Sequence, residues 1–335
     1  MLFTVMITAT IPNTFLKNAV DSVLSQTLCN EEYEIIVIKN YKEEYLDKYL
    51  NSHNVINLFT EKTQLGEKIA MGIQYAKGDI ISLLDYDDLF YPTKLYYVKE
   101  TFSRFPELIY YHNNFRSIYT NQEKVQNSKD NEIIEDGFYF EGEKFVNLRK
   151  KIVPYRADFN NSCISVKKEI ILLYLDFIKK IEISLDQALF YICLELDRGL
   201  FLDNRVLTNY RIHDLNTSLV GNDRLVLEND EKKKMNTYER KRLTDLNNLY
   251  SMISPSLKHF ILEDITLIKL SACLRTKRRE SLQSISSFEY FLYLRSGNYI
   301  KRCVVVIMCL LRKKSEFFNL IYIHFILRSD STDDF

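Results

Sequence analysis

The chain has 335 residues, with 45 Lys and Arg against 45 Asp and Glu, six Cys, eight Gly, five Pro and no Trp. At about 100–200 residues per domain this length suggests about two structural units, and an apolar share of 46% with 13% aromatics builds a full core, which excludes wholesale disorder. A net charge of zero excludes a nucleic-acid binder held by bulk electrostatics, so no nucleic-acid partner is expected. Residues 1–220 carry 25 basic against 31 acidic side chains and residues 221–335 carry 20 against 14, so an acidic front precedes a basic tail.

In chain order, residues 3–9 read as a buried strand. Asn13 or Thr14 then caps a helix in which Leu16, Val20, Val23 and Leu24 recur at helical spacing to about Thr27. Residues 33–38 (YEIIVI) form a strand without alternation, as expected where both faces are covered, and residues 55–59 repeat that pattern more weakly. Leu65, Ile69, Ile73 and Ala76 mark a helix that Gly78 ends as a C′ residue. Residues 79–84 (DIISLL) are another buried strand, running straight into Asp85-Tyr86-Asp87-Asp88, and Pro92 opens the next helix at its first position. Alternating strands and helices with short links predict a parallel α/β sheet, whose ligands sit beyond the carboxyl ends of the strands. The acidic cluster lies at one such end.

Residues 106–160 are irregular. A strand over 161–166, helices over 168–181 and 185–196, and strands over 201–202 and 206–212 follow. Residues 221–247 are highly charged, a solvated linker or helix, and beyond 248 the chain reads as helical, basic and increasingly apolar. No C-x-x-C pair occurs among Cys29, Cys163, Cys193, Cys273, Cys303 and Cys309, so neither a zinc knot nor a disulfide framework is expected. The N-terminus lacks a basic n-region and a long apolar stretch, and the longest apolar run, 303–311, has nine residues against the roughly 18–20 that cross a bilayer. The expected location is cytoplasmic, or the cytoplasmic face of a membrane.

Three carboxylates in four residues repel one another unless something offsets the charge. A divalent cation does so, since hard oxygen ligands suit Mg²⁺ or Mn²⁺ and both share their shells with substrate phosphates. A plain Asp-rich turn after a strand is the alternative, and spacing alone leaves both open.

Leu24-Ser25-Gln26-Thr27, the strand 33–38, the block 76–88 followed by Pro92, and Tyr210-Arg211-Ile212-His213 with Asn216 and Ser218 behind it occur in one order over residues 3–218. Together they resemble glycosyltransferase family 2. The resemblance implies a GT-A fold: an α/β, mostly parallel sheet flanked by helices, followed here by a C-terminal α-helical accessory region. It divides the chain into a nucleotide-sugar-binding half (1–105), an acceptor-binding half (106–220) and the accessory region (221–335). It also implies a nucleotide-diphosphate sugar donor, inversion at the anomeric carbon, and Mg²⁺ or Mn²⁺ as cofactor.

Carried onto this sequence, Asp87 coordinates the metal, with Asp85 beside it contacting sugar, ribose or metal and His213 helping to hold the metal or diphosphate. Asp186 occupies the place of the catalytic base, although an acidic residue at a helix N-terminus also simply suits the dipole. Lys68 is placed to touch the diphosphate, or else is solvated. Where many members carry two Asp after the second strand, this chain has Lys39 and Asn40; the Asn40 amide oxygen can accept from uracil or thymine N3–H, while its amide nitrogen suits another base, and a UDP-sugar is the favoured expectation. Thr8 opens the first loop, which lacks the usual aromatic.

The expected acceptor is a glycan, a lipid-linked sugar or a protein. Residues 301–328, basic and apolar, suit peripheral membrane contact or a helical domain packed on itself. Three rival functions compete with this one. An inactive GT-A-fold glycan- or nucleotide-binding protein is permitted by Lys39-Asn40. A sugar-phosphate nucleotidyltransferase would want a Gly- and basic-rich loop that residues 10–13 do not offer. A nicotinamide enzyme would need G-x-G-x-x-G, and the first Gly is Gly66.

Overall fold

The structure is a computed structural model that describes residues 1–119, 137–141, 152, 155–213 and 229–276. The chain divides into two units, Met1–His213 and Asp214–Phe335. The first unit begins with β1 (Phe3–Ala9), α1 (Phe15–Leu24), β2 (Tyr33–Lys39), α2 (Glu44–Ser52), β3 (Ile56–Phe59), α3 (Leu65–Tyr75) and β4 (Ile80–Asp85). These strands lie in the order β3-β2-β1-β4, all parallel. Every residue of β1 is buried, the reason its sequence shows no alternation. Val5 and Ile7 pack with Leu16, Val20 and Val23 of α1 and with Leu46 and Leu50 of α2.

Local chemistry moves several boundaries. Asn13 caps α1 through Oδ1, which accepts the N–H groups of Phe15 and Leu16 at 2.9 and 3.1 Å. The helix stops at Leu24, short of Thr27, because the next residues are used elsewhere. Gln26 donates to Tyr91 O and accepts from Leu95 N–H, and Thr27 N–H donates to Pro92 O, so this segment fastens the loop after the acidic cluster. Pro92 is not the first helical residue: it lies in a turn, and α4 (Lys94–Arg104) starts two residues later. Gly78 is no left-handed C′ residue either, since α3 ends at Tyr75 and Ala76 is extended. Glycine is needed there because a Cβ would sit 2.5 Å from Thr4 N.

The sheet continues through β5 (Leu89–Phe90), β6 (Leu108–Tyr119), β7 (Phe138–Glu141), a 3-10 turn (Asn161–Cys163), β8 (Ile164–Lys167), α5 (Lys168–Leu173), α6 (Leu175–Ile178), α7 (Leu185–Glu195) and β9 (Gly199–Ile212). Beyond β4 it is mixed, in the order β8-β6-β9-β5, with β7 also on β9. The helix expected over 168–181 is thus broken into α5 and α6, and the strand expected from 161 starts at Ile164. The two strands expected over 201–212 are one, β9. Its polar middle reads as a gap in sequence, yet Asp203 is buried there by Tyr111 Oη (2.6 Å) and Arg205 (2.7 Å), with a register shift on the neighbouring strand.

In the second unit, α8 (Asn229–Met252) and α9 (Pro255–Thr276) form a helical pair that buries Leu246, Leu249, Phe260, Ile261 and Ile265. Among the described residues no helix is long and apolar enough to cross a membrane. The membrane contact expected of 301–328 lies outside the described residues.

Candidate active site

β1, β2 and β4 end side by side. The register pairs Thr8 with Asp85 and Ala9 with Lys39, which brings Thr8, Asn40 and the acidic turn to one rim of the sheet. The turn is closed by Asp88 N–H donating to Asp85 O at 3.1 Å. The antiparallel pairing of Leu89 with Asn209 then returns the end of β9 past the same turn. Arg211 N–H donates to Asp88 Oδ1 and Arg211 Nε to Asp87 O, both at 2.9 Å, and His213 Nε2 lies 2.8 Å from Asp87 Oδ2. Phe15, at the start of α1, stacks 4.9 Å from the His213 ring, and the Arg211 guanidinium lies 4.8 Å above the Phe15 ring. The late motif and the acidic turn, 126 residues apart, are therefore one cluster.

The electrostatics follow from crowding and burial. Burial first, then the charges of Asp87 and Asp186, push the Asp85 carboxyl up to about 7. Asp88, 1% exposed, is raised well above the usual carboxylate range by burial and by Asp87 and Asp85. Burial also raises the Tyr86 hydroxyl. Carboxylates held in this way gain from a nearby cation.

Asp186 is the second residue of α7 and accepts Asn160 N–H at Oδ2 (3.0 Å) and Gln187 N–H at Oδ1 (2.9 Å). The residues that follow Asn160 reach the other carboxylate. Asn161 Nδ2 donates to Asp85 at 3.4 and 3.5 Å, and Asp85 N–H donates to Ser162 Oγ at 3.0 Å. One turn, 160–162, thus holds Asp186 on one side and Asp85 on the other. Under it lies Lys94, fully buried, which donates from Nζ to Ser162 O and to Thr208 Oγ1. Burial brings its pKa down to about 7. Sequence reasoning singled out neither this turn nor Lys94. The signal was slight: consecutive Asn, Asn and Ser ahead of a β-rich run.

The remaining expected residues fall as follows. Lys68 is not solvated: it is 2% exposed, with Nζ 2.7 Å from Thr10 Oγ1 in the first loop. Asn40 donates Nδ2 to Thr60 O (2.8 Å) and Lys62 O (2.7 Å), so two carbonyls fix its amide and Oδ1 is left buried with no hydrogen-bond partner among the described residues. Lys39 turns away from the rim into an ion pair with Asp47 at 2.6 Å. A notch of about 10 Å³ lies against Thr8, Asp85, Asn161 and Leu185. A cleft of about 860 Å³ shares no residue with the acidic corner, and of its charged groups Lys99 pairs with Glu32 and Arg205 with Asp203, so chemistry rather than size assigns the site to the notch.

Among the described residues no group of three or more His, Cys, Asp or Glu side chains forms a ready metal cage. Asp87 Oδ2 and His213 Nε2 lie 2.8 Å apart, a spacing that would suit an ion that takes one or two protein ligands and completes its shell with substrate phosphates.

A parallel β3-β2-β1-β4 core with carboxylates at its strand ends and a returning β9 defines a GT-A-type domain. Residues 4–161 match the profile described as Glycosyl transferase family 2. Asp186 and His213 lie beyond the matched segment. An uncharacterized glycosyltransferase of Rickettsia typhi is 31% identical over 83 residues, which cover 24% of this chain and 26% of that one. The match thus spans about a quarter of the relative's length. Among solved structures, S. aureus TarS in complex with UDP-GlcNAc is 11% identical with a TM-score of 0.52, over 97% of this chain and 92% of that one. A mannosyltransferase from Pyrobaculum calidifontis in complex with GDP-Man and Mn²⁺ is 11% identical with a TM-score of 0.54, over 98% and 86%.

Proposed function

We propose that the chain transfers a sugar from a nucleotide-diphosphate donor, with a UDP-sugar favoured, to an acceptor hydroxyl with inversion at the anomeric carbon. The observation that carries this reading is the turn 160–162, which ties Asp186 to the Asp85 side of the acidic corner and so supports Asp186 as a base acting beside a cation-seeking cluster. Asp186 takes the proton of the acceptor hydroxyl as its oxygen attacks the anomeric carbon, on the face opposite the departing diphosphate. Asp87 and His213 would hold Mg²⁺ or Mn²⁺, which when bound supplies charge neutralisation for the leaving diphosphate. Asp85 contacts sugar, ribose or ion, and Lys68 brings its charge to the first loop beside the diphosphate.

Thr8 and Asn40 meet the nucleoside. The unpartnered Asn40 Oδ1 suits the N3–H of uracil, and the withdrawal of Lys39 leaves that rim without a competing cation. The proteins with GT-A folds that bind UDP-GlcNAc and GDP-Man support a nucleotide-sugar donor. The acceptor is a glycan, a lipid-linked sugar or a protein, with residues 301–328 as peripheral membrane contact and residues 1–105, 106–220 and 221–335 as donor half, acceptor half and accessory region.

Thermal shifts with UDP, GDP, CDP, ADP and dTDP, each with and without Mn²⁺, test the reading. A ligand at 100 times its Kd stabilises by about 2.7 kcal/mol, or about 5–10 °C in Tm for a domain of this size. UDP with Mn²⁺ should give the largest shift. No shift by any of the five would refute the reading.

A further inference from the structure

Two buried amide atoms of the turn that joins the carboxylates have no hydrogen-bond partner among the described residues: Asn160 Nδ2 and Asn161 Oδ1. Neither orientation is arbitrary. Asn160 Oδ1 accepts Ser162 N–H at 2.8 Å, which leaves Nδ2 as the spare donor. Asn161 turns Nδ2 to Asp85, which leaves Oδ1 as the spare acceptor. The two residues are 5% and 9% exposed, and a buried polar atom is costly to leave without a hydrogen bond.

The backbone here is also held in an uncommon conformation. Asn160 has φ of 72°, a left-handed value that persists where surrounding contacts impose it. Those contacts are identifiable: Asn160 N–H on Asp186, Ser162 N–H on Asn160 itself, and Lys94 and Thr208 on Ser162 O. A fixed donor and a fixed acceptor thus stand between the base and the acidic corner, and Asn161 lines the notch beside Asp85. A phosphate, which only accepts, would leave the Asn161 oxygen unmatched. Sugar hydroxyls both donate and accept, and match the pair.

We propose that Asn160 and Asn161 bind hydroxyls of the sugar being transferred, Asn160 as donor and Asn161 as acceptor, and set which sugar the site takes. This rests on the reading of the site as a nucleotide-sugar site. Inverting one hydroxyl of the sugar strands a buried amide atom, and sites built to hydrogen-bond a hydroxyl reject analogues that fail to supply it.

The test is donor hydrolysis and transfer with Mn²⁺ across UDP-glucose, UDP-galactose, UDP-GlcNAc, UDP-GalNAc and GDP-mannose, for wild type, Asn161→Ala and Asn160→Gly. Glycine accepts the left-handed backbone at 160, and Asn161→Ala stands alone if the other variant fails to fold. Each variant should lower kcat/KM for the preferred donor about tenfold, the worth of one hydrogen bond, and shrink its preference over the epimer by a similar factor. Binding of the matching nucleoside diphosphate, by calorimetry, should stay within about threefold, well inside the loss expected for one hydrogen bond. An unchanged epimer ratio, or nucleoside-diphosphate binding that falls in step with kcat/KM, overturns the proposal and leaves the glycosyltransferase reading standing. Absence of wild-type turnover on all five donors instead removes that reading, and the proposal with it.

Discussion

Replacing Asp85 by Asn swaps a partly buried carboxyl for a neutral group of the same shape, at a position where the fold resists the charge. Burial and the neighbouring Asp87 and Asp186 push Asp85 up to about 7 in the folded chain, against about 3.9 when unfolded. Between those values the folded state holds a proton that the unfolded state has lost, so wild-type stability falls as pH rises through the window. The penalty is about 1.5 kcal/mol at pH 5 and about 4 kcal/mol at pH 8. At about 2–4 °C per kcal/mol, Asp85→Asn should melt about 3–6 °C above wild type at pH 5 and about 8–16 °C above it at pH 8. Thermal unfolding of both proteins in EDTA reads this directly. Excess Mn²⁺ with nucleotide should narrow the gap, because the cation rewards the ionised wild-type group. Equal Tm values at pH 8, or a gap of one size at both pH values, would refute the assignment of a charge-strained corner.

Lys94 has the opposite sign. Its pKa of about 7 in the folded chain lies below the ~10.4 of the unfolded one, so the unfolded state binds the extra proton between those values and stability rises with pH there. Urea unfolding at pH 7.5 and 9.5 should show a rise about 2 kcal/mol greater in wild type than in Lys94→Met. For the cation, Asp87→Asn and His213→Ala should each raise the Mn²⁺ concentration for half-maximal nucleotide-sugar turnover about tenfold or more. An unaltered Mn²⁺ dependence would take those two residues out of the ligand set.

Much of the parallel half was legible because its signals are local. Buried strands lack alternation, Asn13 caps α1, and the Asp85–Asp88 cluster follows a strand, all within a few residues. What escaped depended on contacts across the sheet. Lys68 allowed a solvated reading and nothing local marks Lys39 or Lys94, yet all three are buried on partners 8, 58 and 68 residues away in sequence, with Asp47 for Lys39, Thr10 for Lys68 and Ser162 for Lys94. The turn 160–162 carries no motif of its own; its importance comes from the pairing of β8 between β4 and β6, which sets it against Asp85. Gln26 read as a family block, and its physical task, holding Tyr91 and Leu95, appears only in three dimensions.

Asp186→Asn on donor turnover is the most direct test of the central claim that this aspartate primes the acceptor opposite the acidic corner. A carboxylate base contributes about 10²–10⁴-fold, so kcat should fall by that factor while the donor KM and the thermal shift with nucleotide and Mn²⁺ stay near wild type. A variant that keeps its kcat, or that loses turnover only through weaker donor binding, would contradict it.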